Sequence, residues 1–139
     1  IVLHDSETAL TVLKHDFRAD RNASWFYWFT LAKRHPNAWK PRRIRCAQIA
    51  CSLAFEQLGP RIFLGNLYLQ SCDYLSALDA FAQASQVDSN CWQAYFGQAR
   101  AFYALGNHSD AERMLTVARG CGLPERAAIS LFRQQESRR

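Results

Sequence analysis

Apolar residues recur along this chain at helical rather than alternating spacing, and the pattern predicts helices throughout. Leu10, Leu13 and Phe17 form one stripe, behind Asp5 and Ser6 as capping oxygens, and predict a first helix ending near Phe17. After a polar break at Asp20, Arg21 and Asn22, residues from Ser24 to about Arg34 place Trp25, Phe26, Tyr27, Trp28 and Phe29 in succession. As a helix, that segment is apolar all round and is expected to be buried or covered by a partner. Pro36 and Pro41 bound a loop, because proline disfavours helix at the preceding residue and cannot donate inside one. Ile44, Ala47, Ile49, Ala50, Cys51, Ala54 and Phe55 then predict a helix with a small-residue face from Arg42 to Leu58, closed by Gly59 and Pro60. Four further helices are expected near 60–71, 74–87, 91–105 and 108–120, and Pro124 suits the first turn of a closing helix through about Gln135.

The pattern also repeats on a longer scale. Leu64, Gly65, Tyr68, Ala77, Phe81 and Ala84 return 34 residues later as Gln98, Ala99, Phe102, Ala111, Leu115 and Ala118. A period of that length belongs to a helical hairpin, which cannot bury both of its faces alone and must stack on another. The small side chains let two helices approach closely, while Tyr68 and Phe81 fill the space between them.

These residues resemble the tetratricopeptide repeat (TPR). The likeness covers 58–91 and 92–125. The first unit carries the leucine–glycine pair, the aromatic four residues after that leucine, and the alanine–phenylalanine–alanine series of the second helix. The second unit is looser and holds register through Tyr95, Ala99, Phe102, Ala111 and Ala118, with Gly106 and Asn107 at the turn between its helices. Departures lie at the end of the second helix, where the family's usual proline is Ser89 in the first unit and Pro124 falls one residue late in the second. Residues 24–58 fit the repeat poorly and read as a degenerate repeat or an N-terminal cap. The resemblance implies one all-α domain over 1–139, a right-handed superhelix of TPR-like hairpins. Its parts are extra N-terminal helices over 1–57, the two units, and a capping helix and tail over 126–139.

In that family the stacked first helices line a concave groove that holds a peptide. The register selects Ile62, Asn66, Leu69 and Gln70 from the first unit and Phe96, Arg100, Tyr103 and Ala104 from the second. Leu69, Phe96 and Tyr103 would serve as apolar anchors, and Asn66, Gln70 and Arg100 as hydrogen-bonding groups. Phe102, one residue from Tyr103, is expected to face the core. Members that clamp the acidic tails of heat-shock chaperones use a lysine before the groove asparagine; Ile62 stands there instead, which disfavours that specificity.

Composition narrows the chemistry. At 139 residues and 49% hydrophobic content the chain suits one domain with a continuous core. No apolar run reaches eighteen residues, residues 1–20 show no signal-peptide pattern, and the start at Ile1 reads as a piece of a longer protein. Cys46, Cys51, Cys72, Cys91 and Cys121 are odd in number and show no CxxC pair, so reduced thiols filling small core sites and a cytoplasmic setting are expected. The triplets Asn22–Ser24 and Asn107–Ser109 match the glycosylation pattern and pull weakly the other way.

His4, His15, His35 and His108 form no ligand set with the cysteines or acids, and the chain carries no phosphate loop or serine elbow. The expectation is therefore a non-catalytic protein without metal or cofactor. The net charge of +5 is local: Lys33, Arg34, Lys40, Arg42, Arg43 and Arg45 form a basic stretch without an acid among them. As a loop beside aromatics, this stretch is read as solvated, as a dock for an acidic protein segment, or, third, as a contact to nucleic acid or lipid headgroups. An adaptor or scaffold that binds a protein or peptide segment is the leading expectation. The alternatives are a scaffold or chaperone of a bacterial secretion, pilus or exopolysaccharide complex, with membrane contact through a partner or flanking segment, and a regulatory module of a larger enzyme.

Overall fold

The computed structural model describes residues 21–34 and 40–137, and these are all-helical. In chain order the helices are α1 (Arg21–Arg34), α2 (Lys40–Leu53), α3 (Leu58–Gln70), α4 (Tyr74–Val87), α5 (Trp92–Ala104), α6 (His108–Gly120) and α7 (Glu125–Ser137). The first helix expected from the sequence, ending near Phe17, lies outside the described residues. Two compact units are present, Ile1–Pro60 and Arg61–Arg139.

In the first unit α1 packs on α2. Trp28 and Ala32 of α1 are buried, as are Cys46, Ala47, Ala50 and Cys51 of α2. The small side chains of α2 let its backbone come close to the face of α1 that carries Trp28. Burial pushes the Cys46 thiol up to about 11, so it packs as a small apolar group rather than as a reactive thiolate. Arg43 is also buried, and its Nε donates to the Ala32 carbonyl at 3.0 Å. That carbonyl belongs to the last turn of α1, where carbonyls lack intrahelical partners and the helix dipole favours a cation.

Three expectations change here. Lys40 and Pro41 join α2 rather than the preceding loop, so the basic residues from Lys40 to Arg45 are all helical; Pro41 sits in a first helical turn, where its missing N–H costs nothing. Gly59 and Pro60 do not close α2, which ends at Leu53; they lie in the first turn of α3 for the same reason. The break expected at Arg21 and Asn22 is already helical.

The second unit is built around one ring. Phe81 of α4 is 1% exposed, and its side chain fills the space above two glycines on different helices. A Cβ built on Gly65 of α3 would meet the Phe81 ring at 2.6 Å, and one built on Gly97 of α5 would meet it at 2.4 Å. Ala77 and Ala101 complete this cluster, with Ile62, Tyr68, Leu69, Tyr74 and Leu78 packed against it. A second cluster joins α5, α6 and α7 through Ala99, Tyr103, Ala111, Leu115 and Leu131.

The hairpin turns repeat with the sequence. Cys72 and Gly106, 34 positions apart, both take positive φ, at 59° and 83°. In each turn the next residue's N–H closes the helix, Asp73 onto the Tyr68 carbonyl and Asn107 onto the Phe102 carbonyl, both at 2.9 Å. Gly122, at φ 101°, ends α6 in the same way, with Leu123 donating to Ala118 at 3.0 Å. This is the Schellman ending, whose left-handed residue is favoured as glycine because a Cβ crowds the following carbonyl. Asp73 and Asn107 then cap the following helices, accepting from the N–H of Ser76 and Asp110 respectively. Between α4 and α5, the Ser89 carbonyl accepts the Tyr95 hydroxyl at 2.9 Å, which ties the link where the repeat ordinarily has proline.

Two predictions follow from this packing. Gly97→Ala and Gly65→Ala are each expected to cost roughly 1–3 kcal/mol, because Phe81 is held from both sides and cannot swing away. In a Phe81→Leu background either cost should shrink, and urea unfolding of the four proteins in each cycle measures the coupling; strictly additive costs would show that the ring is not what the new methyl meets. Cys72→Gly is expected to stabilise the fold by about 0.5–1 kcal/mol by relieving the left-handed residue, as a raised thermal midpoint would report.

Candidate functional site

Helix α5 buries two faces at once. Gly97 and Ala101, one turn apart, turn toward Phe81 of α4, whereas Ala99 and Tyr103 turn toward α6. Arg100 lies between those faces, since successive residues step about 100° around a helix.

Asn66 on α3 and Arg100 on α5 occupy equivalent positions 34 residues apart, and the fold brings them into contact. Arg100 Nη1 donates to Asn66 Oδ1 at 3.4 Å, a long bond to a neutral amide. The guanidinium carbon lies 5.8 Å from the Phe96 ring centroid, and Phe96 in turn meets Trp92 at 6.2 Å between centroids. Both Asn66 and Arg100 are half-buried. Burial lowers the Arg100 pKa, with no carboxylate contributing to the shift, and the group stays cationic because it starts from so high a value. A half-desolvated guanidinium with aromatic support and a long bond to a neutral amide has the chemistry to take an anionic oxygen.

The other groove candidates separate. Ile62 and Leu69 are half-buried and lean on the Phe81 cluster, and Gln70 is exposed at the end of α3. Phe96 is half-buried against the α5–α6 cluster, and Ala104 is half-buried.

Tyr103 departs from its expected role as an exposed anchor. It is 7% exposed, and its hydroxyl donates to the Glu112 carboxylate of α6, with the His108 ring 5.4 Å away. Phe102, expected in the core, is the less buried of the two and packs on the edge of the same cluster. Tyr103 and Phe102 exchange their expected places because α5 has two buried faces, so an apolar residue at either position fits a helical stripe.

The basic stretch is likewise divided by the fold. Arg43 caps α1, Lys40 and Arg42 are half-buried, and Lys33, Arg34 and Arg45 are exposed. Lys33 Nζ sits 4.3 Å from the Phe29 ring centroid. The aromatic block divides too, Trp28 being buried and Phe26 59% exposed, with Trp25 stacked on Phe29 at 6.3 Å. Among the described residues no cluster of three or more potential metal ligands occurs.

These features define an all-helical fold built of TPR-like hairpins. No family model and no curated protein matches the chain. Among solved structures it is similar to the crystal structure of MamA, with a TM-score of 0.69 and 19% identity over 84% of this chain and 68% of that one. That likeness is one of fold.

Tyr103 generates a pH prediction. Desolvation first, and then the Glu112 bond, push its hydroxyl up from 10.0 to about 12. A raised folded pKa means the protonated group stabilises the native state fully below pH 10 and progressively less as pH rises toward 12. Urea unfolding from pH 8 to 12 should therefore show the parent losing its advantage over Tyr103→Phe in that window. Parallel curves for the two proteins would remove the hydroxyl–Glu112 bond from the account.

Proposed function

We propose that the chain is a non-catalytic scaffold or adaptor whose stacked TPR-like units, 58–91 and 92–125, continue a right-handed superhelix and hold a partner segment in its concave groove. Ile62 and Leu69 supply apolar contact on α3, Phe96 supplies it on α5, and Asn66, Gln70 and Arg100 address the polar backbone and acidic groups of the bound segment. The observation that carries this reading is the Asn66–Arg100 pair, a half-desolvated cation bonded to an amide and backed by an aromatic ring. An acidic side chain or chain terminus placed there would gain charge-assisted hydrogen bonds that water now only partly provides. Tyr103 is no part of this surface and supports it from beneath.

The test is affinity capture with the full-length protein, followed by peptide mapping and titration of the captured segment. Arg100→Gln should weaken that segment roughly 10- to 100-fold, the range for a hydrogen bond to a charged group, with the thermal midpoint almost unchanged. Phe96→Ala should weaken it as well, while Lys33→Gln should not. Full retention of binding by Arg100→Gln would move the binding surface elsewhere.

A further inference from the structure

The first unit carries a surface that the groove does not use. Between Asp20 and Glu56 the sequence holds seven lysines and arginines and no acid, so this segment carries more positive charge than the net +5 of the whole chain. Arg43 is turned inward, but Lys33, Arg34 and Arg45 are exposed.

On α1 the residues sort by helical angle. Trp28 and Ala32, four apart, form the buried face against α2. Phe26 and Lys33, seven apart and about 10 Å along the axis, lie on the opposite face, with Arg34 beside them. Phe26 leaves 59% of its surface in water, and Thr30, between Phe26 and Lys33, returns its hydroxyl to the Phe26 carbonyl at 2.8 Å rather than to solvent. Trp25 and Phe29 flank this face as a stacked pair, with the Lys33 ammonium against Phe29.

An outward aromatic gains most from leaving water, and cations within two turns of it gain most from a dense layer of phosphates. A lipid–water interface offers both at once. Among the described residues no helix is long and apolar enough to cross a membrane, so α1 would lie on such a surface.

We propose that the outward face of α1, with Phe26 as the apolar wedge and Lys33 and Arg34 as its cations, docks on an anionic phospholipid surface. The occupant follows from charge complementarity: the face is cationic, and the segment carries no acid to repel phosphate. A nucleic acid would also satisfy the cations, but it would leave a helix-borne Phe26 side chain without an apolar layer to enter.

Flotation of the full chain with vesicles tests this. Binding is expected to phosphatidylglycerol–phosphatidylcholine vesicles, weakening as salt shortens the screening length, and not to phosphatidylcholine alone. Combined Lys33→Gln and Arg34→Gln should lower the partition roughly thirtyfold, at about one surface charge's contribution each. Phe26→Ser should lower it at least tenfold with an unchanged circular-dichroism spectrum, since the residue is already exposed. Arg100→Gln should float with the parent, which separates this face from the groove. The proposal is overturned by absence of binding to anionic vesicles at low salt, by equal binding to neutral vesicles, or by full binding of the Phe26→Ser protein. It is also overturned if a single- or double-stranded oligonucleotide, and no vesicle, is bound through Lys33 and Arg34.

Discussion

The second unit depends on the Phe81 ring occupying the space that two missing Cβ atoms leave. Gly65 and Gly97 belong to different helices, and each would place a methyl well inside contact distance of the ring. One side chain thus fixes the approach of α4 to α3 and of α4 to α5 together. Its neighbours Ala77 and Ala101 are both fully buried, which keeps the backbones close around it. Dense packing of this kind has few alternative arrangements, since a shift of the ring toward one glycine opens a void over the other.

That constraint reaches the candidate site through α5. With Gly97 and Ala101 turned to Phe81, and Ala99 and Tyr103 turned to α6, Arg100 lies on neither buried face. Its guanidinium is therefore brought beside Asn66 by the same packing that stacks one hairpin on the next. The repeat period makes this contact recur as geometry: equivalent positions on successive first helices become neighbours. The repeated endings at Cys72 and Gly106 keep the period intact, because each turn reverses the chain with the same left-handed residue and the same carbonyl-closing bond.

Unit one shows a different use of charge. Arg43, which the sequence places in a basic cluster, has its Nε on the Ala32 carbonyl and acts as an end cap for α1. A cluster of like charges in sequence thus became one structural cation and a smaller exposed set. The aromatic run beside it divided in the same way, with Trp28 filling the interior and Phe26 facing out.

The helical architecture, the boundaries of α4 and α6, the 34-residue period and the pairing of Gly65 with Phe81 were legible in the chain, because helical spacing, capping residues and small–large alternation are local signals. That Asn66 and Arg100 occupy equivalent positions on successive first helices follows from the repeat register alone; that they touch does not. Gly97 is not legible as a packing glycine: it lies outside the repeated small positions, and the need for it arises only when Phe81 reaches across to the next hairpin. The interchange of Phe102 and Tyr103 has a related cause, for a helix with two buried faces accepts an apolar residue at both positions. Gly59 and Pro60 read equally well as the end of one helix or the first turn of the next. The sequence determined which segments are helices and how often the hairpin recurs, because those are properties of near neighbours along the chain. Only the tertiary structure decided which face of each helix is inside, because that depends on what the next helix brings against it.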